Sequence, residues 1–288
     1  MEPEPATVAP TKPMMIYTAW FQGRDKAPDF VRRVFDLWEA FNPECRLHVV
    51  EQAEADAILA EHGISQPRIT AQITSDLVRK VLLARTGGVW VDATLLPTRP
   101  LAEWLTPELK QAGFFAFRSP GDPNLTLQTW FLYAAPGHPL ITAWRDLFVD
   151  YLRTPRLYPT WRRALIERRL WAYWTYCRKW AARDTLWFVD PAGGRKSVFY
   201  PYAVTFYNFA WMVRSDPDLA AIWDRVPKRW ADLPHLIGAM SRDRETPEAA
   251  FFQSAEEVLA LLPVHKLNSR DGRFAALAEW VAQNRLSA

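Results

Sequence analysis

Thr74-Ser75-Asp76-Leu77-Val78-Arg79 and, eight residues on, Gly87-Gly88-Val89-Trp90-Val91-Asp92-Ala93-Thr94 decide how the chain is read. Ile73, Leu77, Val81 and Ala84 share one stripe at helical spacing, and the double glycine ends that helix. Val89-Trp90-Val91 is a short apolar run of strand type that delivers Asp92 at its C-terminal end. In open α/β sheets that end of the strands is where ligands bind. Asp76 and Arg79, three residues apart, project from the same side of the helix. A carboxylate and a guanidinium beside a strand-end Asp suit ribose hydroxyls, a pyrophosphate and its metal. Each piece also has a plainer reading. A strand-terminal Asp commonly opens a turn, and Asp76 would complement the helix dipole as a first-turn acid capped by Thr74 or Ser75.

Working outward, short apolar runs alternate with helical periodicity, the signature of βαβ units and a doubly wound α/β sheet flanked by helices. Met14-Met15-Ile16-Tyr17 reads as a buried strand ending near Trp20. Phe30, Val31, Val34, Phe35 and Trp38 mark a helix opened by Pro28 and stopped at Asn42-Pro43. Arg46 to Val50 reads as a second strand. A helix through Ala57 to Leu59 follows, with Gly63 at its end. Phe114 to Phe117 and Thr129 to Leu132 look like further strands. Leu140 to Leu152 and Phe274 to Val281 look like helices. Residues 1–12, acidic and Pro-rich, are expected to be a disordered leader, and 13–288 one domain.

Residues 151–184 differ in composition and are expected to form a helical insertion. Arg162, Arg163, Arg168 and Arg169 are interleaved with Trp161, Trp171, Trp174 and Trp180. Three readings apply: an apolar stripe packed on the main domain, a peripheral helix on an anionic membrane, or a groove for an acidic glycan.

Composition narrows the class. Thirty-five Lys and Arg against 32 Asp and Glu leave a net charge of +3, too small an excess to expect a nucleic-acid partner. Two cysteines without metal-ligand spacing favour a reducing compartment over a disulfide framework. No run is long and apolar enough to span a bilayer, and the first residues lack a secretory signal. A cytoplasmic location follows as the expectation, with peripheral contact at the inner membrane face as its extension. The fifteen Trp suit sugars, bases, cores and interfaces alike.

The quoted segments resemble the signature of glycosyltransferases with a sugar-binding DXD region, including the family thirty-two type and related toxin glucosyltransferases. A closer resemblance is to bacterial capsular polysaccharide synthesis proteins. They share an opening like Tyr17-Thr18-Ala19-Trp20-Phe21-Gln22-Gly23, an Asp-Ala-Thr at 92–94, and a late His265-Lys266-Leu267. The resemblance spans about residues 14 to 270 and is weakest in the middle third.

It implies a GT-A-like fold and transfer of a hexose or N-acetylhexosamine from a nucleotide-sugar donor, with UDP-sugar favoured. The acceptor would be a capsular, surface or lipid-linked glycan. Trp20 would stack near the base, Asp76 and Arg79 would contact ribose and sugar, and Lys266 would steady the leaving diphosphate. Asp92, carried over as the catalytic residue, would meet a divalent metal (Mn or Mg) together with His265. Thr94 departs from the pattern, because it occupies the place of the second carboxylate and so weakens a hard-cation site. Reliance on Arg79 and Lys266 is the alternative to a metal. A non-catalytic nucleotide-sugar or glycan-binding protein of the same fold is the alternative to an enzyme.

Overall fold

The computed structural model describes residues 13–65, 69–154, 184–196 and 201–286. The expected leader and most of the Arg/Trp-rich insertion lie outside the described residues. Five strands form the main sheet: β1 (Met15–Ala19), β2 (Arg46–Val50), β3 (Gly88–Val91), β5 (Phe114–Arg118) and β6 (Leu127–Ala134). Their order is β2-β1-β3-β6-β5. β1 pairs in parallel with both β2 and β3, while β6 runs antiparallel to β3 and to β5. Four strands therefore share one direction and β6 alone is reversed. This is the mixed, helix-flanked α/β sheet expected from the alternating pattern.

Two successive crossovers, β1 to β2 and β2 to β3, move across the sheet in opposite directions. Helix α1 (Asp29–Phe41) links β1 to β2, and α2 (Gln52–Glu61) with α3 (Ala71–Thr86) link β2 to β3. Right-handed crossovers that move in opposite directions put their helices on opposite faces of the sheet. The packing agrees. α1 rests against the C-terminal helix, Arg273–Arg285, through the tilted ring pair Phe30–Phe274 and an Arg33–Glu279 ion pair. α3 rests against α4 (Pro139–Arg153). Phe30, Val31, Val34, Phe35, Leu37, Trp38 and Phe41 are all buried, the one-sided apolar stripe that the spacing predicts. The strand order reverses between β1 and β3, so the ligand crevice of such a sheet lies at their C-terminal ends.

A second, two-stranded sheet was not legible in the sequence. β4 (Leu95–Pro97) pairs antiparallel with β7 (Val264–Lys266), with Leu95 opposite Lys266 and Leu96 opposite His265. Trp38 donates its indole N–H to the Leu95 carbonyl at 2.8 Å, fixing β4 over α1. The ladder carries residues from the far end of the chain to the point where β3 delivers Asp92.

The helix-to-strand turn depends on two glycines in the left-handed region, Gly87 at φ 65° and Gly88 at φ 109°. A Cβ on Gly88 would lie 2.4 Å from the Met15 carbonyl oxygen of β1, and one on Gly87 would lie 2.5 Å from Pro136 Cδ. Gly88→Ala should therefore cost on the order of 2 kcal/mol or more, from backbone strain plus the clash. Gly137, at φ 68° with open space around it, isolates the backbone part, so Gly137→Ala should cost only about 1 kcal/mol. Denaturant unfolding of the two variants checks this. Equal midpoints would mean that the close approach of β1 and β3 contributes nothing.

Candidate functional site

Helix α3 begins at Ala71, where the Thr70 hydroxyl accepts from the Ile73 amide at 3.3 Å. Asp76 consequently sits in the second turn, not the first, and the capping role considered for Thr74 or Ser75 does not arise. The next turns bury polar groups instead of exposing them. Asp76, Arg79 and Lys80 are each less than 5% accessible. Such groups persist in an interior only when paired and hydrogen-bonded.

Arg79 supplies most of that pairing. Its Nη2 lies 3.4 Å from Asp76 Oδ1 and 3.5 Å from Asp92 Oδ1. The same nitrogen reaches the Ser75 hydroxyl at 3.2 Å, while Nε donates to the Ser75 carbonyl at 3.3 Å and Nη1 to the Thr129 carbonyl of β6. The guanidinium also lies over the Trp90 ring, 4.9 Å from its centroid. One side chain thus ties α3 to the end of β3 and the start of β6.

Asp92 receives help from three directions. Its backbone N–H donates to the Trp130 carbonyl at 2.9 Å, extending the β3–β6 ladder one residue past the strand. Trp90 donates its indole N–H to Oδ1 at 3.2 Å, and Lys266 Nζ stands 3.1 Å from Oδ2. Burial works against the charge on Asp92, but Lys266 and then Arg79 outweigh it and hold the carboxyl below its ordinary value. Asp76 goes the other way. Burial raises its carboxyl in spite of Arg79 and Lys80, and the charge on Asp92 adds to the effect.

The two lysines play different parts. Lys266 is about one-fifth exposed and Asp92 about one-quarter, so these two remain partly open to solvent. Lys80 is sealed: its Nζ donates to the Asp76 carbonyl and the Thr205 hydroxyl, both at 2.6 Å, between the Trp144 and Phe148 rings. Burial pushes it down to about 7. Its position four residues after Asp76 was the available signal, since i and i+4 share a helix side.

Trp20 follows directly on β1. By the β1–β3 register, in which Tyr17 pairs with Trp90, Ala19 is level with Asp92. Trp20 therefore stands one step beyond Asp92 on a strand about 5 Å away. Its ring is half-buried against the core, and its indole N–H has no hydrogen-bond partner among the described residues.

His265 is not brought to this cluster. Neighbouring residues of a strand point to opposite faces. Lys266 faces Asp92, while His265 is fully buried with Nε2 against the Leu262 carbonyl at 3.2 Å. Burial lowers it to about 4.

The donor set does not fit a divalent cation. Both Asp92 oxygens already face cations, and Thr94 offers a neutral hydroxyl. Among the described residues no group of three His, Cys, Asp or Glu could hold a metal ion. Hard divalent cations need several oxygen ligands, preferably charged ones.

The sequence profile of the capsular polysaccharide synthesis proteins matches residues 3–160, which include α3, Asp76, Arg79, Asp92 and Thr94. The chain belongs to that family. It is also 25% identical over 149 residues to the putative glycosyltransferase HOC1 of Saccharomyces cerevisiae, covering 45% of this chain and 37% of that protein. To the O-glycosyltransferase braB of Annulohypoxylon truncatum it is 24% identical over 155 residues, 46% of this chain and 36% of that one. The chain thus spans little more than a third of the length of these curated relatives. The solved PaToxG glycosyltransferase aligns over 96% of this chain and 87% of its own length, at 13% identity and a TM-score of 0.35.

A carboxyl held below its ordinary value stabilises the fold above its unfolded value and loses that contribution as the pH falls through the folded one. Asp92→Asn should therefore cost on the order of 1 kcal/mol at neutral pH, a modest figure because the pair is partly hydrated. The gap from wild type should close as the pH drops below the ordinary carboxyl value of 3.8. Urea unfolding of both proteins across that range measures it, and a gap independent of pH would refute the electrostatic account.

Proposed function

We propose that the protein transfers a hexose or N-acetylhexosamine from a nucleotide-sugar donor, UDP-sugar favoured, to a capsular, surface or lipid-linked glycan. The observation that carries this reading is Asp92. It stands at the C-terminal end of β3, beside the switch point of the sheet, held between Arg79 and Lys266 and still partly open. The family and the two glycosyltransferase relatives support the same class of reaction.

Each residue's part follows from its exposure. Asp92, the partly accessible carboxylate, accepts hydroxyl groups of the donor and orients the bond to be broken. Lys266 faces the diphosphate. As the sugar–phosphate bond breaks, negative charge grows on the leaving group, and an ammonium already in place favours that transition state without reorganising. Trp20 offers its ring to the base. Asp76 and Arg79 serve donor binding from beneath, by fixing Asp92 in place. An acceptor hydroxyl attacks the anomeric carbon, forming the glycosidic bond as the sugar–phosphate bond breaks, and its proton leaves with the released nucleotide or to solvent.

A lipid-linked acceptor would be confined to a membrane plane. No helix among the described residues is long and apolar enough to cross a membrane. Peripheral contact through the Arg/Trp-rich segment around Trp161 to Arg183 belongs to this reading.

A thermal-shift screen of UDP-, GDP- and CMP-sugars, followed by a nucleotide-release assay, tests the proposal. One donor class should raise the melting temperature by mass action and be turned over. Asp92→Asn should keep the fold and lose turnover by about 100-fold or more, as when a pre-placed transition-state contact is removed. A donor that binds but is never cleaved, with or without glycan acceptors, would identify a nucleotide-sugar-binding protein instead. Wild-type turnover by Asp92→Asn would remove Asp92 from the mechanism.

A further inference from the structure

Lys266 and Thr94 form a unit whose parts make sense only together. Lys266 Nζ donates to the Thr94 hydroxyl at 2.8 Å and stands 3.1 Å from Asp92 Oδ2. The Thr94 hydroxyl spends its own proton on the Leu267 carbonyl at 3.0 Å, which leaves its lone pairs for the ammonium. The backbone holds the arrangement in register. Leu267 N–H donates to the Thr94 carbonyl, and Lys266 N–H donates to the Pro234 carbonyl at 2.8 Å.

We infer that the ammonium of Lys266, seated by Thr94, is the resident cation of the donor site, and that the protein binds a nucleoside diphosphate without a divalent metal. The inference rests on the proposed donor site and fixes how its charge is balanced.

Three observations converge on it. First, Lys266 Nζ touches both side chains of the Asp92-Ala93-Thr94 segment that a metal would use. An incoming dication would meet a fixed positive charge at contact range, where like charges repel strongly in a partly desolvated site. Second, a second carboxylate at position 94 is what a hard cation would need, and a threonine there suits an ammonium instead. Third, an ammonium carries three donors. Two are taken, by Asp92 and Thr94, which leaves one for a phosphate oxygen on a side chain that is itself about one-fifth exposed. Arg79 is too deeply engaged to serve the phosphates directly. Its donors go to Ser75, Asp76, Asp92 and Thr129, and its role is to keep Asp92 from following Lys266 toward the ligand.

The test is calorimetric titration of the full chain with UDP and with GDP, after EDTA treatment and again with added Mn²⁺. Affinity for the nucleotide that binds should be the same in both. Lys266→Gln should weaken it by about 10- to 100-fold, the loss of one charge-assisted contact, and Lys266→Arg should restore most of it. Thr94→Asp should reverse the dependence: weak binding in EDTA, recovered by Mn²⁺, with Mn²⁺ uptake visible by electron paramagnetic resonance. Circular dichroism and melting curves confirm that each variant is folded. Nucleotide binding that needs Mn²⁺ in the wild type overturns the inference and leaves the donor site standing. So does Lys266→Gln binding as tightly as wild type. If neither nucleotide binds with or without Mn²⁺, the proposed function falls, and this inference with it.

Discussion

Arg79 is buried beneath the edge of the sheet, and the rest of the site is arranged around the need to satisfy it. A guanidinium cannot shed its proton in a protein, so its burial demands acceptors on every side. Here they come from its own helix, from the end of β3 and from the start of β6. Two consecutive elements and the more distant β6 are thereby locked at one point, and Asp92 is held there as a consequence. Removing Arg79 would leave Asp76 buried with one carboxylate oxygen already lacking a hydrogen bond. That dependence explains why so polar a cluster survives inside an aromatic core.

The backbone contribution is the double glycine. Helix α3 must end, reverse and hand the chain to β3 while β3 lies against β1, and only residues without a Cβ permit that approach. Without the tight turn Asp92 would not emerge level with the end of β1. Trp20 and Asp92 are close because the β1–β3 register is set by this turn.

Charge is distributed unequally within a few ångströms. Asp76 is raised, Asp92 lowered, and Lys80 pushed down to about 7, with burial the first influence on each. The difference between the two aspartates is access. Asp92 shares its environment with Lys266 and with solvent, whereas Asp76 and Lys80 are sealed between α3, α4 and the helix that carries Thr205. The partly exposed Asp92 keeps its charge, and the sealed pair lies beneath it.

The sequence alone determined the α/β class, the five strands of the main sheet and the longer helices of the first half, and the pairing of Asp76 with Arg79 ahead of a strand-end Asp92. Those features are local: helical period, strand period and glycine punctuation are read within windows of a dozen residues. Tertiary structure alone decided the partner of Asp92. Lys266 lies 172 positions after Thr94, and no local period announces that β4 and β7 pair. The His265-Lys266-Leu267 resemblance marked the segment without telling which of its side chains faces inward. That choice follows from strand alternation once the ladder register exists, and it sends His265 into the core and Lys266 to Asp92. A register between strands far apart in the chain is a property of packing, because only closing the sheet says which residues meet.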